Sequence, residues 1–274
     1  MNAKPETPIA LLLSDVDGTL VTNDKKLTPA TIDAARQLRD AGIRLAITSG
    51  RPPLGMNMLV EPLMLEGMIA GFNGGVYVDP DMTVRESRLL EPDVAAEAVD
   101  MIIHARLDAW VYTSNAWLIR KLDCPHVRHE TETVQFKPQV VERFTDAHLA
   151  DCAKIVCVSD DYPLVARVER ETQEALGDRA SATRSQPYYL DVTSPKATKG
   201  AVVDTLAAMY NLRHSQIATI GDGPNDRLMF RRSGFSIAMG NASDEVKQAA
   251  NVVTDSNEND GFAKAVREHI LSPS

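Results

Sequence analysis

Apolar positions along the chain fall into short blocks, each closed by a polar or glycine-rich turn. The spacing inside the blocks switches between two periods. Leu11-Leu12-Leu13 is continuous and runs into Ser14-Asp15-Val16-Asp17-Gly18-Thr19-Leu20, the pattern of a buried strand opening on a turn. Residues 28–42 carry Ile32, Ala35 and Leu38 at helical spacing, with Thr28 as N-cap, Pro29 in the first turn and Gly42 at the end. A short apolar run over 43–47, interrupted by Arg44, leads into Thr48-Ser49-Gly50-Arg51-Pro52. A helix is predicted over 53–65 and a strand over 68–72, before Asn73-Gly74-Gly75. Strands alternating with helices predict a parallel sheet covered by helices. In such sheets ligands bind beyond the carboxyl ends of the strands, where Asp15, Asp17, Ser49 and Asn73 all fall.

The rhythm changes after about residue 82. Val76–Val78 and 82–84 flank an Asp-Pro-Asp turn and predict a hairpin. A helix over 93–105, short strands over 109–113 and 116–120, and an irregular polar stretch over 123–148 follow. Next come a strand over 154–158, a helix over 162–176 and strands near 180–183 and 187–192. From about 198 the first rhythm resumes, with helices over 198–211, 224–232, 243–249 and 260–270 and strands over 216–220, 235–239 and 251–253. The pattern predicts an α/β protein: a Rossmann-like parallel-sheet core of residues 1–82 and 193–274, interrupted by an inserted α+β cap over 83–192. Hinges are expected where the chain crosses between the units, near 80–85 and 192–197.

Composition narrows the function classes. The chain has 274 residues and a net charge of -9, which argues against nonspecific nucleic-acid binding. No run approaches the roughly 18 apolar residues of a membrane span, and the apolar run after the first eight residues is too short for a signal peptide. Cys124, Cys152 and Cys157 form no C-x-x-C pair and read as reduced thiols of a cytoplasmic protein. A monomer or homodimer without nucleic-acid or membrane partners is expected.

Candidate chemistry gathers at two acidic turns. Asp15 and Asp17, two residues apart, point to one side of an extended backbone. Such a pair can grip a divalent cation and leave a carboxylate oxygen as nucleophile, although a calcium-type loop or a solvated turn has the same form. The second turn, Gly221-Asp222-Gly223-Pro224-Asn225-Asp226, again ends an apolar run. Asp222 is placed to complete a metal site with Asp15 and the backbone carbonyl of Asp17, and an oxygen-only set suits Mg²⁺. Asn225 and Asp226 are alternatively helix caps. Of the lysines in Ser194-Pro195-Lys196-Ala197-Thr198-Lys199-Gly200, Lys199 sits at a helix start, where it is either solvated or held beside a phosphate. Ser49 offers a hydroxyl to a phosphoryl oxygen, or is an ordinary N-cap.

These segments, in this order, resemble the haloacid dehalogenase superfamily of phosphohydrolases. T-S-G-R-P, F-N-G-G and the late Lys-Gly look like its Cof-type branch, with a C2-type cap. The match runs from Leu11 to the C-terminal helix apart from the insert. Departures are small: Ser49 replaces the more usual threonine, and Gly75 stands where alanine is common. The resemblance implies Asp15 as the nucleophile that forms an aspartyl-phosphate and Asp17 as general acid then base. It implies Ser49 and Lys199 as phosphoryl holders, and Gly50, Arg51, Asn73, Gly74 and Asn225 as further substrate contacts. Mg²⁺ is implied at Asp15, Asp17, Asp222 and Asp226. Dehalogenase members lack the second Asp, so Asp17 favours phosphoryl transfer. The function expected is a Mg²⁺-dependent phosphatase for a small phosphorylated metabolite, a sugar or polyol phosphate. A phosphomutase, a sugar-phosphate phosphotransferase and a non-catalytic phosphometabolite-binding protein are the alternatives. The insert is expected to act as a lid that excludes water, with Trp110, Tyr112, Trp117, Arg120 and Tyr188 as candidate substrate contacts. His104, His126, His129, His148 and His214 show no ligand spacing.

Overall fold

The continuous apolar run at the start becomes the middle of a sheet because none of its residues has to face water. In the computed structural model, which describes residues 4–271, β1 (Leu11–Asp15) is buried along its whole length. Met1–Ala3, part of the segment read as too short for a leader, and the last three residues lie outside the described residues. The chain continues through β2 (Arg44–Thr48), β3 (Ile69–Gly71), β4 (Val76–Val78) and β5 (Val84–Ser87). It then passes through β6 (Asp108–Thr113), β7 (Trp117–Ile119), β8 (Gln139–Val140), β9 (Cys152–Val158), β10 (Ser181–Gln186) and β11 (Tyr189–Thr193). It returns as β12 (Ile217–Gly221), β13 (Phe235–Ala238) and β14 (Val252–Val253).

Two sheets result. The first has the order β14-β13-β12-β1-β2-β3-β4-β5. Its strands are parallel from β14 to β3, and β4 and β5 close it as an antiparallel hairpin. The Rossmann-like α/β expectation is met, and β1 sits between β12 and β2, so the two acidic turns end neighbouring strands. The second sheet, β10-β11-β9-β6-β7-β8, is antiparallel except for the β7–β8 pair. One difference concerns the hairpin. β5 extends the first sheet to Ser87, beyond the expected division at 82/83, because its edge pairing continues the core hairpin rather than starting the insert. The chain leaves the first sheet over 88–91 and returns over 194–198. The two crossings touch, with the Arg88 guanidinium donating to the carbonyl of Lys196 at 3.2 Å.

Helix ends follow local sequence where caps are present. Pro29–Asp40 starts at Thr28, whose hydroxyl accepts from the Thr31 N–H, and buries Thr31, Ala34, Ala35 and Leu38. The predicted helix over 53–65 is instead a 3₁₀ segment, Pro53–Leu59, followed by a single α-turn, Val60–Leu63. Pro52-Pro53 and the next proline, Pro62, limit α-geometry there. The stretch over 123–148 is less irregular than expected, since it holds the helix Val127–Val134. That helix opens at His126 in a left-handed conformation with no side-chain cap, so no start signal is legible in its sequence.

The second sheet is two-faced through period-2 alternation. Val111, Leu118, Ile155, Cys157, Leu190 and Val192 pack with the helices Pro92–His104 and Tyr162–Leu176. The other face turns Trp110, Tyr112, Trp117 and Val156 toward Met56 and Phe72 of the first unit. The three cysteines are unpaired and buried, and burial pushes the thiols of Cys152 and Cys157 up to about 12. Thiols that far above working pH stay protonated and unreactive. Native protein at pH 8 is therefore expected to leave Cys152 and Cys157 unmodified by iodoacetamide, read by peptide mass spectrometry. Labelling of either without denaturant would contradict the packing.

Candidate active site

The site begins with a charge placed where an isolated helix would disfavour it. Lys199 is the first residue of the helix Lys199–Met209, at the positive end of its macrodipole, and it is 3% exposed. Two carboxylates offset this: its Nζ donates to Asp15 Oδ1 at 2.7 Å and to Asp226 Oδ1 at 2.5 Å. Burial works against the ammonium, but Asp15 and Asp226 outweigh it and hold Lys199 above the usual lysine range. Burial raises Asp15, with Lys199 opposing, and the Asp226 and Asp222 charges add to the rise. Burial and then Asp226 raise Asp222. Three carboxylates beside one ammonium leave a local excess of negative charge.

The second turn is braced from within. Asp226 Oδ2 accepts the backbone N–H groups of Asp222 and Gly223 at 2.9 and 2.7 Å. Asp226 is thus both a cap for its own turn and a partner for the lysine. Asn241 Nδ2 donates to the Gly18 carbonyl at 2.9 Å and to Asp222 Oδ2 at 3.1 Å, tying one acidic turn to the other. The Thr19 hydroxyl donates to Asp222 Oδ1 at 3.2 Å. Gly18 has φ +75°, and a Cβ there would lie 2.3 Å from Asp222 Oδ2. Only glycine lets the turn adopt that conformation and admit the carboxylate.

Asp15, Asp222 and Asp226 each bring an oxygen within 4.8 Å of the others, an all-oxygen set able to hold a hard cation. Asp226 is held by the Lys199 ammonium and by two backbone N–H groups, whereas Asp222 accepts only from the neutral Thr19 and Asn241 side chains and Asp15 Oδ2 only from Thr19 at 3.5 Å, which leaves Asp15 and Asp222 the less committed carboxylates. The Asp17 carboxylate is not in that cluster. Arg51 grips it with two hydrogen bonds, Nε to Oδ2 at 2.7 Å and Nη2 to Oδ1 at 2.6 Å, and Lys25 Nζ adds a third at 2.7 Å. Burial pulls Asp17 upward, but these cations outweigh it and hold it at about 2. Arg51 is itself buried and also donates to the Thr133 carbonyl at 3.1 Å, at the end of the helix from the other unit.

The remaining expected residues divide between cavity and frame. Asp15, Asp17, Ser49, Gly50, Arg51, Lys199, Asp222 and Asn225 line one cavity of about 410 Å³. Ser49 does not cap an α-helix; its Oγ accepts the Arg51 N–H at 3.1 Å. Asn73 accepts from Asn225 Nδ2 at 3.2 Å, linking the third strand's turn to the second acidic turn. Gly74 belongs to the frame rather than the cavity wall. At φ +97° a Cβ on it would meet Val202 and the Tyr77 hydroxyl, so it permits close packing behind the site. Of the aromatic candidates, Trp110 and Tyr188 line the cavity, whereas Tyr112 and Trp117 stack on each other in the interior. Arg120 is exposed at the end of β7, beside the helix Pro92–His104 and away from the cavity. Lys25, Thr19, Asn241, Glu130, Lys154 and Asp191 escaped the sequence reading because each is brought in by pairing that no local pattern encodes.

A family model described as haloacid dehalogenase-like hydrolase matches residues 12–266. A 5-amino-6-(5-phospho-D-ribitylamino)uracil phosphatase of Bacillus subtilis is 25% identical over 270 residues, covering 98% of this chain and 98% of the relative. The pyridoxal phosphate phosphatase of Escherichia coli is 26% identical, covering 94% and 97%. A crystal structure of a haloacid dehalogenase-like hydrolase from Bacteroides thetaiotaomicron superimposes with a TM-score of 0.87 at 26% identity, covering 94% of this chain and 98% of that one.

Replacing Lys199 by Met strands two buried carboxylates. Urea unfolding in the presence of EDTA is expected to show a loss of about 3–5 kcal/mol at neutral pH. Because burial raises Asp15 in the folded state, the deficit grows as pH rises from its unfolded value toward its folded value and shrinks on acidification. A Lys199→Met protein as stable as wild type at pH 7.5 would remove the ammonium from its central role.

Proposed function

The chain belongs to the haloacid dehalogenase-like hydrolases, and we propose that it is a Mg²⁺-dependent phosphatase for a small phosphomonoester, a sugar or polyol phosphate. The observation that carries this reading is the Asp15–Lys199–Asp226 bridge beside Asp222. It presents a restrained carboxylate at the floor of a cavity together with an all-oxygen cluster of unbalanced negative charge. Relatives of matching length named for phosphorylated ribityl and pyridoxal compounds support a small phosphorylated metabolite as substrate.

Phosphate-ester cleavage requires in-line positioning and neutralisation of the transferring oxygens. Mg²⁺, held by Asp15 and Asp222 with the Asp17 carbonyl, would supply positive charge against the phosphoryl oxygens. The other parts belong to the chain. Lys199 fixes the rotamer of Asp15 and adds a cation. Asp15 attacks phosphorus while the bond to the leaving oxygen breaks, and Asp17 gives that oxygen a proton. Asp17 then takes a proton from water, which attacks the aspartyl-phosphate, breaks the bond to Asp15 and frees phosphate.

A carboxyl held at about 2 is ionised, so Asp17 must loosen its cationic partners before it can act as an acid. A phosphoryl group entering the cavity competes for Arg51 and Lys25, and losing them raises Asp17 toward protonation. The second unit, which meets Arg51 through Thr133, acts in this reading as the cap over residues 88–193. It closes about the two crossings and excludes water.

With Mg²⁺, purified protein is expected to release inorganic phosphate from p-nitrophenyl phosphate without any acceptor, an outcome a transferase or mutase would not give. Asp15→Asn is expected to abolish turnover, and Asp17→Asn to lower kcat about 10²–10⁴-fold. EDTA should stop the reaction and Mg²⁺ restore it. Turnover that persists in Asp15→Asn overturns the nucleophile assignment.

A further inference from the structure

The cavity has a second polar end that the phosphoryl chemistry does not use. On the otherwise aromatic and aliphatic inner face of the second sheet lie Lys154 of β9 and Asp191 of β11, with Glu130 from the helix Val127–Val134 beside them. Lys154 Nζ meets Asp191 Oδ2 at 2.7 Å. Glu130 Oε1 accepts from the Tyr112 hydroxyl at 2.9 Å. All three belong to elements of the second unit and line the same cavity as Asp15.

Ionic groups among buried aromatics cost stability unless they serve another purpose. Their hydrogen bonding is also incomplete. Asp191 Oδ1 and the hydroxyl of Tyr189 are buried without a partner. Tyr189 is 8% exposed and lines this cavity. Two carboxylates against one ammonium make this end net acidic, with the His129 imidazole at its edge. Its spare capacity combines acceptors on carboxylates with a hydroxyl and an ammonium that donate. Hydroxyl groups, which donate and accept at once, satisfy such a mixture. A second anion would face Glu130 and Asp191, and a cation would face Lys154.

We propose that the Glu130–Lys154–Asp191 row reads the leaving group and selects an uncharged polyhydroxylated one over one bearing a second anionic group. The proposal rests on the phosphatase reading and deepens it. Specificity then comes from these polar residues and not from the arginine or stacked aromatics that the sequence suggested.

The test compares sorbitol 6-phosphate with 6-phosphogluconate, which share a six-carbon chain and differ by a hydroxymethyl against a carboxylate at the far end. Wild-type enzyme is expected to favour the first in kcat/KM by about tenfold or more. The Glu130→Gln, Asp191→Asn double variant should shrink that ratio by about tenfold, because it removes both repelling charges. Arg120→Ala, outside the cavity, should leave the ratio where it was. Equal use of the two esters by wild type, a preference for 6-phosphogluconate, or a ratio that moves as far in Arg120→Ala overturns the proposal. Absence of p-nitrophenyl phosphate turnover by wild type overturns the phosphatase reading as well. Turnover without discrimination overturns this inference alone. Because wild type already gives a decisive ratio, the test does not depend on the double variant folding.

Discussion

One buried ammonium organises this protein. Lys199 lies 184 positions from Asp15 and 27 from Asp226, yet it joins both. A lysine out of water at a helix N-terminus is unfavourable on two counts, desolvation and the helix dipole. It is tolerated only while both carboxylates are present. That requirement ties the tip of β1, the turn after β12 and the start of the helix Lys199–Met209 into one unit. Any rearrangement that separates them exposes unpaired charge to a dry interior.

The same constraint leaves charge unbalanced in a useful way. Asp222 is drawn in by Thr19 and Asn241 and by the room that Gly18 makes, so a third carboxylate joins a bridge already satisfied. Structural logic alone would not add it. Asp17, two residues from the nucleophile candidate, is treated in the opposite way. Arg51 and Lys25 hold its carboxylate ionised while Asp15 is raised by burial. Two neighbouring acids with environments that push them apart are suited to different roles.

The second unit repeats the economy of a two-sided sheet. One face is apolar and packs its helices, whereas the other mixes aromatics with a short polar row that lines the same cavity as Asp15. Arg51 reaches across to Thr133, so the residue that restrains Asp17 also touches the second unit. Residues of both units line a single cavity because the ends of the parallel strands and one face of the second sheet face each other.

Local sequence was enough for the elements whose signals are short-range. The apolar run at Leu11–Leu13, the Thr28 cap with Pro29, the Asp15/Asp17 pair and the turn around Asp222 are each legible within a few residues. So is the resumption of strand–helix rhythm after 198, and with it the family. Tertiary structure decided the rest, since burial and pairing are properties of distant segments. It supplied Asp15 and Asp226 as the partners of Lys199, the lysine already preferred from its place at a helix start, turned the Asp17 carboxylate to Arg51, and placed Arg120 away from the cavity. It also made Val127–Val134 helical without a cap and raised Glu130, Lys154 and Asp191 from unremarkable polar residues to a cavity wall. A two-residue pattern can declare a carboxylate; only the folded chain determines which charge will stand beside it.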